Sequence, residues 1–231
     1  MEKELEMLFA CYAREFESVN GAIVKIAEPP SLTKLFLGGR EDLNDVIGNL
    51  RGRLLTNASL PLDGKRKYIL YRLDTHVPYP AHTVTEAADR DREELAELFS
   101  EMYRATEGAE PPSELPQTFA AQKRRNTAVF KEGGRAIGMA RIAFRGKSYG
   151  RINTVVVSPE HRGKGVARAL VGALASTLMA EGLIPTVLAD ASNPSANALY
   201  SSLGFTAAGE LYEYILTSEI CENPLIMNTI S

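Results

Sequence analysis

The segment Val155-Val-Val-Ser-Pro-Glu-His-Arg-Gly-Lys-Gly-Val-Ala167 constrains this chain more than any other. An apolar strand enters a short turn holding Gly163 and Gly165. Val166, Leu170, Leu174 and Leu178 then follow one turn apart, the spacing of a helix with one buried face. Strand, glycine turn and helix start together make an anion site. The first N–H groups of a helix have no helical acceptor, and the peptide dipoles add about half a positive charge there. Glycine lets a bulky anion approach the backbone. Arg162, Lys164 and Arg168 add positive charge to the same mouth. Two familiar phosphate loops fail on spacing. A nucleoside-triphosphate loop needs Gly-x-x-x-x-Gly-Lys-Ser/Thr, but Gly165 follows Lys164 and Ser158 stands where its first glycine would be. A dinucleotide fingerprint needs a third glycine three residues after Gly165, and that position is Arg168.

Arg162-x-x-Gly165-x-Ala167 does resemble the pyrophosphate-binding signature of the GNAT acetyltransferase superfamily. A second block, Asn193-Pro-Ser-Ala-Asn-Ala-Leu-Tyr-Ser-Ser-Leu-Gly-Phe205, is similar to the later segment of that family, with an Asn at a helix start, Tyr200 seven residues on, then Gly-Phe. The blocks come in the family's order, with one helix and one strand between them. The resemblance covers roughly residues 82–216. It implies an α/β fold with a mixed, central, splayed β-sheet flanked by helices, and an enzyme that uses acetyl-CoA as co-substrate without a metal. On this resemblance, the backbone of Val155, Val156 and Val157 meets the pantetheine arm. The amides of Gly163, Lys164, Gly165, Val166 and Ala167 hold the pyrophosphate, with Arg162 beside them. Asn193 caps the last helix and can also touch the pantetheine. Tyr200 is the general acid that protonates the departing thiolate. The implied reaction is direct attack of a primary amine, on a small molecule or a peptide, upon the thioester.

Each role has a plainer counterpart. Three valines also make an ordinary buried strand, Arg162 and Lys164 an ordinary solvated surface, and Tyr200 a core ring. The general base is not legible: the central strand carries Asn153 and Thr154 where family members often place a glutamate. Glu132, Glu160 and Asp190 are the nearest carboxylates in sequence. Two other readings stay open, a non-catalytic acyl-CoA sensor or scaffold and a transferase of longer acyl groups.

Asp74-Thr-His-Val-Pro-Tyr-Pro-Ala81 holds two prolines that interrupt regular structure. It separates a small α/β unit, residues 1–80, from an acetyltransferase-like domain, residues 81–231. In the first unit, residues 3–18 and 41–55 carry helical stripes, and residues 22–26 and 67–73 read as strands. In the second, strands are expected at 83–85, 127–131, 136–144, 151–157, 186–189 and 207–216. Helices are expected at 93–102, 115–125, 165–181 and 193–203. Gly133-Gly134 marks a hairpin. Residues 1–80 are expected to pack near Tyr103–Pro116, whose Glu107, Glu110 and Glu114 would form an acidic entrance for a cationic amine.

Composition narrows the function classes. The chain has 231 residues, net charge −3 and charges of both signs throughout, so no basic platform for nucleic acid is present. Cys11 and Cys221 match neither a metal-ligand spacing nor a disulfide framework. His76, His82 and His161 are too far apart in sequence to suggest a metal centre. No apolar run approaches the roughly 20 residues that span a bilayer, and the acidic start does not resemble a signal peptide. A cytoplasmic protein without membrane or nucleic-acid partners, monomeric or homodimeric, is the expectation.

Overall fold

The computed structural model describes residues 21–26, 33–38, 52–56, 65–75, 84–123, 126–146 and 148–216. In chain order its elements begin with strands β1 (Gly21–Ile26), β2 (Thr33–Gly38), β3 (Gly52–Thr56), β4 (Lys65–Arg72) and β5 (Val84–Glu86). Helices α1 (Arg92–Glu107) and α2 (Leu115–Lys123) follow, then β6 (Thr127–Glu132), β7 (Arg135–Arg145) and β8 (Tyr149–Val157). The order closes with α3 (Val166–Ala180), β9 (Ile184–Asp190), α4 (Pro194–Ser202) and β10 (Thr206–Leu216). Backbone contacts group the chain into two units. The first comprises residues 1–71, 188–197 and 207–231, and the second residues 72–187 and 198–206.

In the first unit, β1 pairs antiparallel with β2, β2 with β3, and β3 with β10. Residues 41–55, expected as one helix, end instead in strand β3: Leu54 faces Leu35 on one side and Tyr214 on the other. Helical spacing of leucines is a weak prior, and pairing on both edges overrides it. The helix expected at 3–18 lies outside the described residues, as do residues 41–51 and most of the stretch expected to dock near Tyr103–Pro116.

In the second unit, β5, β6, β7 and β8 form an antiparallel meander. β9 joins parallel to β8, from Tyr149↔Ile184 to Ile152↔Val187. Parallel neighbours require a crossover, and α3 supplies it. The hairpin between β6 and β7 turns on Gly133 and Gly134, at φ 59° and 84°. The result is the mixed, splayed sheet with flanking helices that the sequence implies: β8 runs on to Val157, five residues past its last register pair with β9.

Two layers of helix cover this sheet. On one face Leu95, Leu98 and Phe99 of α1 are buried in a cluster with Val129, Met139 and Val156. Phe99 stacks on Phe119 of α2 at 4.4 Å between centroids, which binds the two helices. Each fully buried side chain of this size contributes about 1.5–3 kcal/mol. The start of α1 is anchored by the buried Asp91: its carboxylate accepts the Ala88 amide at 2.8 Å and takes Lys131 Nζ of β6 at 2.7 Å. On the other face lies α3, with Val166, Leu170, Leu174 and Leu178 all buried as its spacing predicts. It approaches closely because two sheet positions are glycine. A Cβ on Gly138 would lie 2.8 Å from Val166 Cγ1, and one on Gly150 would lie 2.8 Å from Leu178 Cδ1.

Candidate functional site

Strand β8 changes character halfway along. Ile142 faces Ile152 and Arg141 faces Asn153, but the next recorded pair is Met139↔Val156. Between them β7 contributes one residue, Ala140, and β8 contributes two, Thr154 and Val155. This is a β-bulge. It turns the alternation over, so that Val156 joins the buried cluster under α1 although Gly150 and Ile152, an even number of residues earlier, lie on the α3 side. Thr154 sits at φ 52°, a left-handed conformation rare for a β-branched residue. Its hydroxyl donates to Asn153 Oδ1 at 3.1 Å. Held strain of this kind, of order 1–3 kcal/mol, gathers at functional sites. Nothing in the sequence around Thr154 announced it.

The strain predicts a stability pattern. A left-handed residue with a Cβ costs about 1–2 kcal/mol, partly offset in glycine by a larger loss of chain entropy. Thr154→Gly is therefore expected to raise unfolding free energy by about 1 kcal/mol, and the near-isosteric Thr154→Val to lower it. Urea denaturation of the two variants checks this; equal shifts for both would show that φ at 154 stores no strain.

After Val157 the chain enters the glycine turn. The Ser158 amide donates to Ile137 O at 2.9 Å, which fixes the departure of the turn from the sheet. Residues Pro159–His161 make a single 3-10 turn. His161 then ties the turn to the β6–β7 hairpin: its Nδ1 is 2.8 Å from Ser158 Oγ and its Nε2 is 3.0 Å from Glu132 Oε2. Arg162 folds back, its Nε donating to Val157 O at 3.1 Å. Gly163 and Gly165 hold φ 76° and 83°, and a Cβ at either would meet nothing within 4 Å. Both therefore border open space, as does the exposed Lys164. Gly165 is the N-cap of α3, and the first helical bond is Ala169 N–H to Gly165 O at 3.0 Å. The amides of Val166, Ala167 and Arg168 have no acceptor one turn back. Open space, paired left-handed glycines and outward amides fit a pyrophosphate.

Arg168 has a partner that the sequence did not indicate. Its guanidinium donates to Ser202 O at 3.2 Å and to Ser202 Oγ at 2.5 Å, at the end of α4. It is thus held to a helix C-terminus, where a cation is favoured. The reading of α4 itself stands: Asn193 Oδ1 accepts the Ala196 amide at 3.0 Å, the cap expected before Pro194 at the first helical position. Asn197 has a structural task within its unit. Its amide group donates to Asn193 O at 2.7 Å and Asp190 O at 3.0 Å, and its Oδ1 accepts the Tyr71 hydroxyl at 3.0 Å.

Tyr200 is buried, and its ring meets Phe205 edge-on at 5.9 Å. Val155–Val157, Arg162–Ala167 and Tyr200 all belong to the second unit, whereas Asn193 belongs to the first. Two of the three carboxylates raised as bases are engaged elsewhere. Glu132 holds His161, Glu160 approaches His161 Nδ1 at 3.5 Å, and Asp190 Oδ1 accepts the Ser192 amide and hydroxyl at 2.7 and 2.6 Å. Of the expected acidic entrance, Glu110 accepts Arg104 Nε at 2.7 Å and Glu114 is exposed. Among the described residues no group of His, Cys, Asp and Glu is arranged to hold a metal, and no helix is long and apolar enough to cross a membrane.

Comparison with known proteins bears on family and fold. Residues 92–205 match the model of the acetyltransferase (GNAT) family. A mycothiol acetyltransferase from Frankia casuarinae is 37% identical over 95 residues, which are 40% of this chain and 27% of that protein. The chain therefore spans about a quarter of the length of that relative. Among solved structures, a GNAT-family protein from Novosphingobium aromaticivorans superposes with TM-score 0.57 at 22% identity, over 82% of this chain and 89% of that one. A GNAT-family acetyltransferase from Colwellia psychrerythraea gives TM-score 0.53 at 16% identity, over 66% and 56% of the two chains. At these identities the structural matches bear on fold alone.

Proposed function

Residues 92–205 match the GNAT acetyltransferase family, and on that premise we propose that this chain transfers an acetyl group from acetyl-CoA to a primary amine. The observation that carries the reading is the continuity of β8 and the turn. A strand segment past its last β9 partner, Asn153–Val157, leads directly into the left-handed glycines and free-ended amides of 163–168. The amides of Gly163 to Ala167 and the Arg162 and Lys164 charges bind the pyrophosphate. The backbone of Val155–Val157 offers hydrogen bonds to the pantetheine arm. Asn193 serves chiefly as the cap of α4.

In the reaction the amine nitrogen attacks the thioester carbon, the C–S bond breaks, and the thiolate leaves. Tyr200 donates its phenolic proton to that sulfur. The nitrogen loses its extra proton to water, because Glu132 is bonded to His161 and Asp190 to Ser192, and Glu160 adjoins the glycine turn. An amine that arrives neutral needs no base for the attack itself. The engagement of Glu132 and Asp190 elsewhere favours a second reading, an acyl-CoA sensor that binds without turnover.

One experiment separates the two. The full chain is incubated with acetyl-CoA and a panel of primary amines while free thiol is followed. Amine-dependent thiol release supports transfer. Calorimetric binding of coenzyme A without release by any amine supports the sensor. Absence of binding sinks both.

A further inference from the structure

Arg141 of β7 and Arg151 of β8 stand together on the sheet face turned toward α1. Met139, two residues before Arg141, lies in the cluster with Leu95 and Phe99, and strand alternation puts Arg141 on that side. Gly150 faces Leu178 of α3, so Arg151 and Asn153 face the opposite way. Asn153 is directly opposite Arg141 in register. Arg151 is two residues along the same strand, a diagonal neighbour of Arg141 at about 7–8 Å between backbones. Arg151 is 5% exposed, and the Nε atoms of both arginines are shielded from solvent. Burial pulls Arg141 below the ordinary guanidinium value. Thr127, opposite Arg141 on β6, is buried beside them.

Two like charges side by side in a shielded place repel one another and lose hydration. Both arginines have partners within the protein. A guanidinium has five donors in a planar fork, however, and serves more than one acceptor at once. Their place beside Asn153 of β8 indicates what a further acceptor is. From Val157 back to Asn153 is about 13 Å of extended chain. On the reading above, the pantetheine arm runs along that stretch from the pyrophosphate turn and brings the thioester to the bulge at Asn153 and Thr154. Arg141 is opposite Asn153 and Arg151 is two residues beyond it, so on that reading an amine attacking the thioester carries its other substituents beside them.

We propose that Arg141 and Arg151 hold an anionic group of the acceptor, so that this protein acetylates an amine that also bears a carboxylate or a phosphate. The proposal rests on the transfer reading above and reverses the expectation of a purely cationic amine at an acidic entrance.

The test uses the full chain with acetyl-CoA and matched amines: alanine against alaninamide, and phosphoethanolamine against ethanolamine. The anionic member of at least one pair is expected to have kcat/KM higher by about tenfold or more, the effect of one charge-assisted hydrogen bond. Which pair responds distinguishes carboxylate from phosphate. A second readout needs no turnover. Protein saturated with coenzyme A is titrated with N-acetylalanine, N-acetylalaninamide and N-acetylphosphoethanolamine, and selective binding of an anionic ligand is expected. Arg141→Gln and Arg151→Gln should each raise KM for the anionic amine about tenfold. They should leave neutral amines and coenzyme A affinity unchanged. Equal rates and equal binding for anionic and neutral partners overturn the proposal, as does an anion preference that survives both substitutions. If the variants do not fold, the comparison on the unsubstituted protein decides alone. Selective binding of an anionic ligand without thiol release from any amine supports the anion site while overturning the transfer reading.

Discussion

Gly165→Glu is expected to abolish measurable coenzyme A binding while leaving a folded protein. Gly165 caps α3 at φ 83°, and a Cβ there enters open space, so no packed neighbour has to move. The backbone strain of a non-glycine residue is about 1–2 kcal/mol. It is partly offset because a carboxylate at a helix N-terminus is favourable by about 0.3–1 kcal/mol. That same attraction is what blocks the site: the glutamate takes the place, and the amide donors, that the pyrophosphate would use. Hydrogen bonds to charged groups are worth about 1.5–3 kcal/mol each. Losing two of them lowers affinity by about two orders of magnitude or more. Gly165→Ala separates strain from charge, since it shares the φ penalty and lacks the carboxylate; it should lose much less affinity. Calorimetric titration of both variants, with circular dichroism to confirm folding, measures the difference. An unchanged affinity in folded Gly165→Glu would move the pyrophosphate elsewhere.

Much of the fold around this turn was legible because its signals are local. The stripe Val166, Leu170, Leu174 and Leu178 has helical spacing and stops before Gly182, and α3 occupies that range. Gly133-Gly134 announced the hairpin of β6 and β7. What was missed depends on distant partners. Thr33–Gly38 has Leu35, Phe36 and Leu37 in a row without alternation, and becomes a strand through pairing with β1 and β3. Gly138 and Gly150 look like weak points of two strands, yet they are where α3 comes close enough to set the position of its own N-terminus. The site divides in the same way. The turn glycines and the Asn193 cap are sequence motifs and could be read. The bulge at Thr154 and the pairing of Arg141 with Asn153 arise from strand register, and the tether of Arg168 to Ser202 from the packing of two helices, which no spacing within one segment encodes.

Tyr200→Phe is expected to lower kcat by about a hundredfold or more, the usual contribution of a general acid, with coenzyme A affinity unchanged. The substitution removes one oxygen and keeps the ring. Tyr200 meets Phe205 edge-on at 5.9 Å, and a phenylalanine makes the same contact. Losing the hydroxyl from a buried position costs about 1 kcal/mol of stability, which a thermal melt detects and which cannot lower turnover a hundredfold in protein that stays folded. The acid matters because a thiolate that leaves without a proton remains a competent nucleophile and recaptures the acyl group. Without the phenol, the proton must come from water, a far weaker acid. The effect should therefore fall on kcat and kcat/KM together, the pattern of an interaction made in the transition state. Leu203→Ala, one residue past the end of α4 and not a proton donor, serves as the packing control: it should lower the melting temperature and leave kcat of the folded fraction near the original. If Tyr200→Phe turns over at the original rate, Tyr200 is a core ring beside Phe205 and the departing thiolate draws its proton from another donor.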